Sequence, residues 1–198
     1  WMTGKKSREE VHRLRGEDDA VLVGLGTVLA DDPSLTARAG SALNILASRQ
    51  PLRIVLDSRL RTPLKAKVLA SQDKAKTMIA TTIAAPAVRR SALQKKGIEV
   101  LIVPAVDGQV SLPALLRELG RRGITSLLAE GGGEVNAAML KAKLVDRVRL
   151  YMAPLLLGGQ NAKGLIGGKS PARLASAIAL RHVVTRSVGN DVVVEGEL

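Results

Sequence analysis

The run Ala129-Glu130-Gly131-Gly132-Gly133-Glu134-Val135-Asn136-Ala137-Ala138 leaves an apolar stretch, crosses three glycines and enters a helical pattern. A turn of this kind lets backbone approach a phosphate closely, and the free N–H groups and dipole of a helix start favour the anion. The same turn also serves where a strand simply needs a tight, steric route into a helix. It is neither a dinucleotide-binding G-x-G-x-x-G fingerprint nor a P-loop, because the glycine spacing differs and no Lys-Ser/Thr follows. Glu130, at the end of the apolar stretch, reads either as a working carboxylate or as one satisfied by nearby backbone N–H groups.

Two further segments carry polar residues just beyond apolar stretches. Gly24 to Arg38 contains Gly26-Thr27 and the paired carboxylates Asp31-Asp32 before Pro33, and reads as a long polar loop or, at Asp-Asp-Pro, a plain turn or cap. Asp57-Ser58-Arg59-Leu60-Arg61 places two arginines on alternate residues, a spacing that can fork onto a phosphate. In an open α/β sheet the loops beyond strand C-termini form the ligand crevice, so the three segments are expected at one edge. Other chemistries fail. The only histidines, His12 and His182, lie on a charged helix and in a late strand, with no G-x-S-x-G for a serine hydrolase.

The elements that must position these residues alternate. A helix is predicted over Lys5–Arg15, capped by Thr3 or Ser7, followed by strands Ala20–Gly24, Leu52–Leu56 and Thr77–Thr81. Helices Ala87–Lys96, Ser111–Arg122 and Glu134–Ala142 then alternate with strands Ile98–Val103, Ile124–Ala129 and Arg147–Met152. Leu180–Arg186 and Asp191–Glu195 flank Gly189-Asn190, a hairpin signal expected to add antiparallel strands at one edge. Gly40–Gln50 reads as a long surface loop. The expected fold is a single α/β domain with a mostly parallel central sheet flanked by helices.

Composition narrows the function class. The 198 residues carry 30 Lys and Arg against 18 Asp and Glu, a net charge of +12, with no Cys, no Phe, one Trp and one Tyr. Without cysteine there is no thiolate nucleophile, disulfide scaffold, or cysteine-built zinc or iron–sulfur site, and no metal is expected. No apolar run approaches the roughly 18 residues of a membrane span, so no membrane partner is expected, and the mostly polar opening residues 1–15 together with zero Cys point to a cytoplasmic setting. The charge raises the alternative of a basic module gripping RNA or another polyanion. Two aromatics furnish no stacking platform, and the basic residues are dispersed, so no nucleic acid is expected either.

Several motifs resemble one family in order along the chain: Trp1-Met2-Thr3, His12-Arg13-Leu14-Arg15, Gly26-Thr27-Val28-Leu29-Ala30-Asp31-Asp32-Pro33 with Leu35-Thr36 and Arg38, Pro51 to Ser58, Glu130-Gly131-Gly132, and Leu144 to Gly159. The chain is similar to the reductase domain of the bifunctional riboflavin-biosynthesis deaminase–reductase, a dihydrofolate-reductase-like fold. That resemblance implies NADPH-dependent reduction of 5-amino-6-(5-phosphoribosylamino)uracil to its ribitylamino product, in a homodimer. It places Trp1, Thr27, Asp31 and Ser58 at the cofactor, with Gly132, Gly133, Glu134, Val135, Asn136, Ala137 and Ala138 around its pyrophosphate. Arg15, Leu35, Arg38 and Glu130 match substrate positions, with Arg15 and Arg38 clamping the sugar phosphate and Glu130 at the pyrimidine or the reacting centre. Arg59 and Arg61 are, on their position beyond a strand, our own candidates for the 2′-phosphate.

The resemblance also implies a first strand ahead of the Trp-x-Thr segment and, in bifunctional members, a zinc deaminase domain. Residues 1–198 are therefore expected to be a reductase domain without either. A fold relative that keeps nucleotide binding but not turnover is the remaining alternative.

Overall fold

A computed structural model describes residues 2–38, 50–159, 164–170 and 173–198. Strands β1 (Ala20–Gly24), β2 (Leu52–Leu56), β3 (Thr77–Thr81), β4 (Glu99–Ile102) and β7 (Leu127–Ala129) form one parallel sheet in the order β4-β3-β2-β1-β7. β1 and β3 are buried along their whole length, and sheets covered on both faces require such continuous apolar runs. Alternate residues feed two cores. Val21, Val23, Val55 and Ile79 pack with Val28 of α2 (Leu25–Asp31) and Leu93 of α3 (Ala87–Gln94). Ala20, Leu22, Ile54 and Met78 face the other way, against Leu115 and Leu119 of α4 (Leu112–Arg121). Val135 of α5 (Gly133–Lys141) packs on that second core.

The expected hairpin is present, as β9 (Arg181–Val188) and β10 (Asp191–Glu197). It does not extend the parallel sheet. With β8 (Arg147–Met152) it forms a separate antiparallel sheet of order β8-β10-β9. A short hairpin of β5 (Ala105–Val106) and β6 (Gln109–Val110), absent from the sequence reading, follows β4.

Helix α1 (Lys5–Glu17) ties the two sheets together. Its N-cap is Gly4, not Thr3 or Ser7. Ser7 Oγ donates to the buried Asp191 carboxylate at 2.5 Å, and the same carboxylate accepts the Gly4 N–H at 2.7 Å. One turn on, Glu10 accepts from Tyr151 (3.0 Å) and from Arg186 (2.9 Å), while Arg149 pairs with Glu195 at 2.9 Å. The Arg186 guanidinium, outweighing partial burial, holds the Glu10 carboxyl below the usual carboxylate range. Past Glu10, the helix runs on towards the C-terminal edge of β7.

Candidate active site

Because β1, β2, β3, β4 and β7 are parallel, the segments that leave them share one edge of the sheet. The β1–β7 pairing carries on past the strand end: Glu130 N–H donates to Leu22 O (2.9 Å) and Gly24 N–H to Gly131 O (2.8 Å). The two glycine-bearing segments therefore lie side by side, as the sequence suggested. A Cβ on Gly132 would stand 3.2 Å from Thr27 Oγ1, and one on Gly24 only 2.7 Å from a Val135 methyl. Gly131 has φ +92°, so glycine is required there by backbone as well as space. α5 begins at Gly133, presenting its first N–H groups at this edge.

The segment after β1 is not a loop throughout. Its first half is helix α2, ending where Asp32 adopts a left-handed conformation (φ 41°). Asp31 is exposed at the last position of that helix. Asp32 faces away, accepting the Lys67 N–H at 2.8 Å. Leu35 also has a left-handed backbone (φ 53°), and its side chain, 1% exposed, is part of the core. Any ligand contact from Leu35 is thus through its main chain. Arg38 is exposed at the end of the segment.

Arg15 and Glu130 meet in a two-pronged pair, Nε to Oε1 at 2.5 Å and Nη2 to Oε2 at 2.6 Å. Both side chains are mostly covered, at 14% and 19% exposure. The third Arg15 nitrogen donates to Thr36 O at 3.2 Å. His12, one turn earlier, has its Nδ1 2.9 Å from the same carbonyl and so must carry the proton there. Burial, reinforced by Arg15, pushes the His12 imidazole below its ordinary value and keeps it neutral.

After β2 the chain makes a rigid turn. The buried Asp57 accepts from Thr62 N–H (2.6 Å) and Thr62 Oγ1 (2.8 Å). Leu60, φ 53° and 1% exposed, anchors the turn in the core, which leaves Arg59 and Arg61 exposed on either side of it. Arg89 secures the turn from α3 by donating to Leu60 O (2.9 Å) and Thr62 O (2.5 Å). The Ser58 hydroxyl is engaged with Gln109 Oε1 (3.0 Å) and the Val110 N–H (3.1 Å), holding the β5–β6 hairpin.

A strap of residues 164–168, missed in the sequence, lies over the start of α5. Gly167 N–H donates to Gly133 O (2.9 Å), Gly168 N–H to Glu134 Oε1 (3.1 Å), and Asn136 Nδ2 to Leu165 O (2.9 Å). Ala137 and Ala138 follow on the same helix, Ala138 exposed. Trp1 and residues 40–49 of the expected surface loop lie outside the described residues. Arg53, Gln50 and His12 were also missed as site-forming residues, although a cation inside the apolar run Leu52-Arg53-Ile54-Val55-Leu56 is itself an unusual signal. Among the described residues no group of three or more His, Asp or Glu could hold a metal ion, and no helix is long and apolar enough to cross a membrane.

Both the sequence and the fold are shared with known proteins. A family model described as the RibD C-terminal domain matches residues 1–194. The riboflavin biosynthesis protein RibD of Actinobacillus pleuropneumoniae is 37% identical over 195 residues, 98% of this chain but 50% of that protein. The 2,5-diamino-6-ribosylamino-4(3H)-pyrimidinone 5′-phosphate reductase of Methanothermobacter thermautotrophicus is 39% identical over 194 residues, 98% of this chain and 86% of that one. The solved structure of Acinetobacter baumannii RibD superposes with a TM-score of 0.85 at 28% identity, covering all of this chain and 51% of its own. The chain thus spans about half the length of the RibD proteins it matches and most of the archaeal reductase.

Proposed function

The chain belongs to the RibD C-terminal domain family, and from that premise we propose that residues 1–198 act as one NADPH-dependent reductase unit of riboflavin biosynthesis. The substrate is a 5′-phosphorylated ribosylaminopyrimidine: 5-amino-6-(5-phosphoribosylamino)uracil, or the diamino-pyrimidinone named for the archaeal relative. The product is the ribitylamino compound. The observation that carries this reading is the shared edge: the Gly131–Gly133 turn and α5 start adjoin the Arg15–Glu130 pair across the end of one strand. Two anionic ligands can thereby meet end to end.

The residues fit the cofactor. Gly132 and Gly133 carry no side chain at the start of α5, whose first N–H groups favour a pyrophosphate beside the 164–168 strap. β2 lies two strands from β7, so the Arg59–Arg61 turn stands about 10 Å away along the sheet edge, at two strand spacings. That is a distance at which a 2′-phosphate can be gripped by exposed guanidiniums while the pyrophosphate sits on the glycines. Thr27 borders the glycine turn from α2, Asp31 stands exposed at the end of the same helix, and Ser58 contributes through the turn it anchors. A nicotinamide held there would supply hydride to the C=N carbon of the ring-opened ribosyl group, the π pair passing to nitrogen, which takes a proton from water.

On the substrate side, Arg38 offers an exposed cation to the sugar phosphate. Arg15 has five N–H donors, of which three are engaged, so two remain to share that phosphate. Glu130, with its negative charge fixed in direction by the fork, accepts hydrogen bonds from the pyrimidine or the reacting nitrogen and holds the ribosyl carbon in line. Burial around the pair strengthens both contacts.

Mixing the protein with NADPH and each phosphorylated pyrimidine, while following the nicotinamide absorbance, tests the reading. Loss of absorbance matched by ribitylamino product supports it. NADPH binding without turnover of either pyrimidine leaves a silent relative. Binding of RNA that collapses steeply with salt, without NADPH binding, replaces it by a polyanion module. A homodimer and a cytoplasmic setting belong to the same proposal: Val183, Val184 and Val192 expose apolar surface on the antiparallel sheet, and the cysteine-free composition suits a reducing compartment.

A further inference from the structure

The segment from Asp32 to Ala37 has no regular secondary structure, yet hydrogen bonds with distant residues hold it at nearly every step. The Asp32 carboxylate is tied to Lys67 N–H (2.8 Å). Ser34 O accepts from Arg53 Nη1 (3.2 Å). Thr36 O accepts from both His12 Nδ1 (2.9 Å) and Arg15 Nη1 (3.2 Å). Gln50 closes the row, its Oε1 accepting the Ala37 N–H (2.9 Å) and its Nε2 donating to Ala37 O (3.0 Å).

Arg53 is an unusual member. It is 1% exposed, and among the described residues its guanidinium donates to main-chain carbonyls alone, those of Ser34, Ala70 and Ala75. Burial accordingly pulls its guanidinium below the ordinary value. A buried cation facing carbonyl dipoles carries a desolvation cost that ordinary packing would avoid. What it achieves here is to lock the Ser34 end of the segment to the loop before β3. His12 and Gln50 lock the other end.

We propose that His12, Gln50 and Arg53 are positioning residues that hold the Asp32–Arg38 segment as a preformed wall of the substrate site, with His12 and Arg15 registering that wall to Glu130 through the shared Thr36 carbonyl. The proposal rests on the reading of this edge as the substrate side of a reductase. It assigns a task to His12 that is neither acid–base nor direct binding: the imidazole is a fixed donor that sets where Arg38 and the Leu35 main chain stand relative to Glu130. Arg15 and Arg38 surround this imidazole with positive charge and Glu130 with negative, and the neutral ring fits between them without adding a charge of its own.

The test compares His12→Asn with His12→Leu, because an Asn side chain places an N–H close to where Nδ1 stands and Leu places none. His12→Leu is expected to raise KM for the phosphorylated pyrimidine about tenfold, the loss of roughly one hydrogen bond, with KM for NADPH unchanged. His12→Asn restores most of that loss, and Gln50→Leu reproduces the His12→Leu pattern. Hydrogen exchange of the backbone amides at 34–38 in the free protein is the second readout, faster in His12→Leu and Gln50→Leu but not in His12→Asn. Equal increases in KM for both ligands, or an Asn variant no better than Leu, overturn the proposal. If the wild-type protein turns over neither pyrimidine, the functional reading fails, while the exchange rates still decide whether these residues brace the segment.

Discussion

Arg15, on a helix that reaches across to the antiparallel sheet, and Glu130, at the last step of the parallel ladder, grip each other with two nearly equal bonds of 2.5 and 2.6 Å. They are separated by 115 positions in sequence. The pair makes each side chain's placement depend on the other: Glu130 is aimed by Arg15, and Arg15, with a third bond to Thr36 O, keeps only two of its five donors uncommitted.

Breaking the pair from either side therefore has coupled effects. Arg15→Ala should lower stability by about 2 kcal/mol, because a mostly covered carboxylate loses its charged donors. Glu130→Gln should lower kcat/KM by about a hundredfold through misplacement of the reacting carbon. A double-mutant cycle in thermal unfolding should return a coupling of about 1–3 kcal/mol. Strictly additive effects would show that the contact is incidental.

On the proposed reading, the Arg59–Arg61 turn sets the choice of cofactor. Replacing both by Ala should raise KM for NADPH by roughly a hundredfold, about tenfold for each charge-assisted contact, and leave KM for NADH nearly unchanged. The turn itself should survive, since Asp57, Leu60 and Arg89 hold it independently of these two side chains. Parallel rises for both cofactors would refute the assignment.

Gly133→Ala probes the strap. A Cβ there would stand 2.9 Å from Gly164 O and 3.0 Å from Gly167 N, both main-chain atoms, so the strap must shift. KM for NADPH should rise about tenfold while KM for the pyrimidine stays put, the loss of roughly one main-chain contact to the pyrophosphate. Thermal stability serves as the control, because Ala is intrinsically better than Gly within a helix. Unchanged NADPH kinetics would place the cofactor away from this turn.

Stability should fall on both sides of neutrality. Tyr151, the only tyrosine, is pushed up to about 12, by burial first and then by its bond to Glu10. Between its ordinary value of 10.0 and that figure the unfolded chain has lost the proton and the folded one has not, so stability drops as pH rises. Glu10 lies below its ordinary 4.5, held there by Arg186, and its contribution is lost as pH falls through that region. His12, depressed by burial from 6.5, acts in the same direction, because below 6.5 the unfolded chain takes up a proton that the folded one refuses. Ultraviolet titration of the tyrosinate band should show a single transition near 12, and Tyr151→Phe should remove the alkaline loss in thermal midpoint. A native transition near 10 would contradict the buried contact with Glu10.

The boundaries of β1, β2 and β3 were legible to the residue, because strands buried on both faces are short, mostly apolar runs, broken here by Arg53 in β2 and by the terminal Thr77 and Thr81 of β3. β7 is shorter than the predicted strand Ile124–Ala129. The Asp19 carboxylate takes the Thr125 and Ser126 N–H groups, so the ladder with β1 begins only at Leu127. Helix α2 was read as loop, since seven residues framed by Gly24 and Asp-Asp-Pro buried only Leu25 and Val28 and gave too short an apolar period to detect.

The sequence by itself determined the parallel α/β class, the glycine turn, the family, and the polar residues that stand just beyond the strand ends. Those features are local: apolar period, glycine where φ is positive, and charges just beyond strand ends. Only the tertiary structure decided that Arg15 meets Glu130, that Leu35 is turned into the core, that the C-terminal hairpin builds its own sheet with β8, and that His12, Gln50 and Arg53 converge on one segment. Each of these is a choice of partner across tens of residues. Such choices follow from how buried donors and acceptors must satisfy one another once the chain is closed, and no spacing along the chain encodes them.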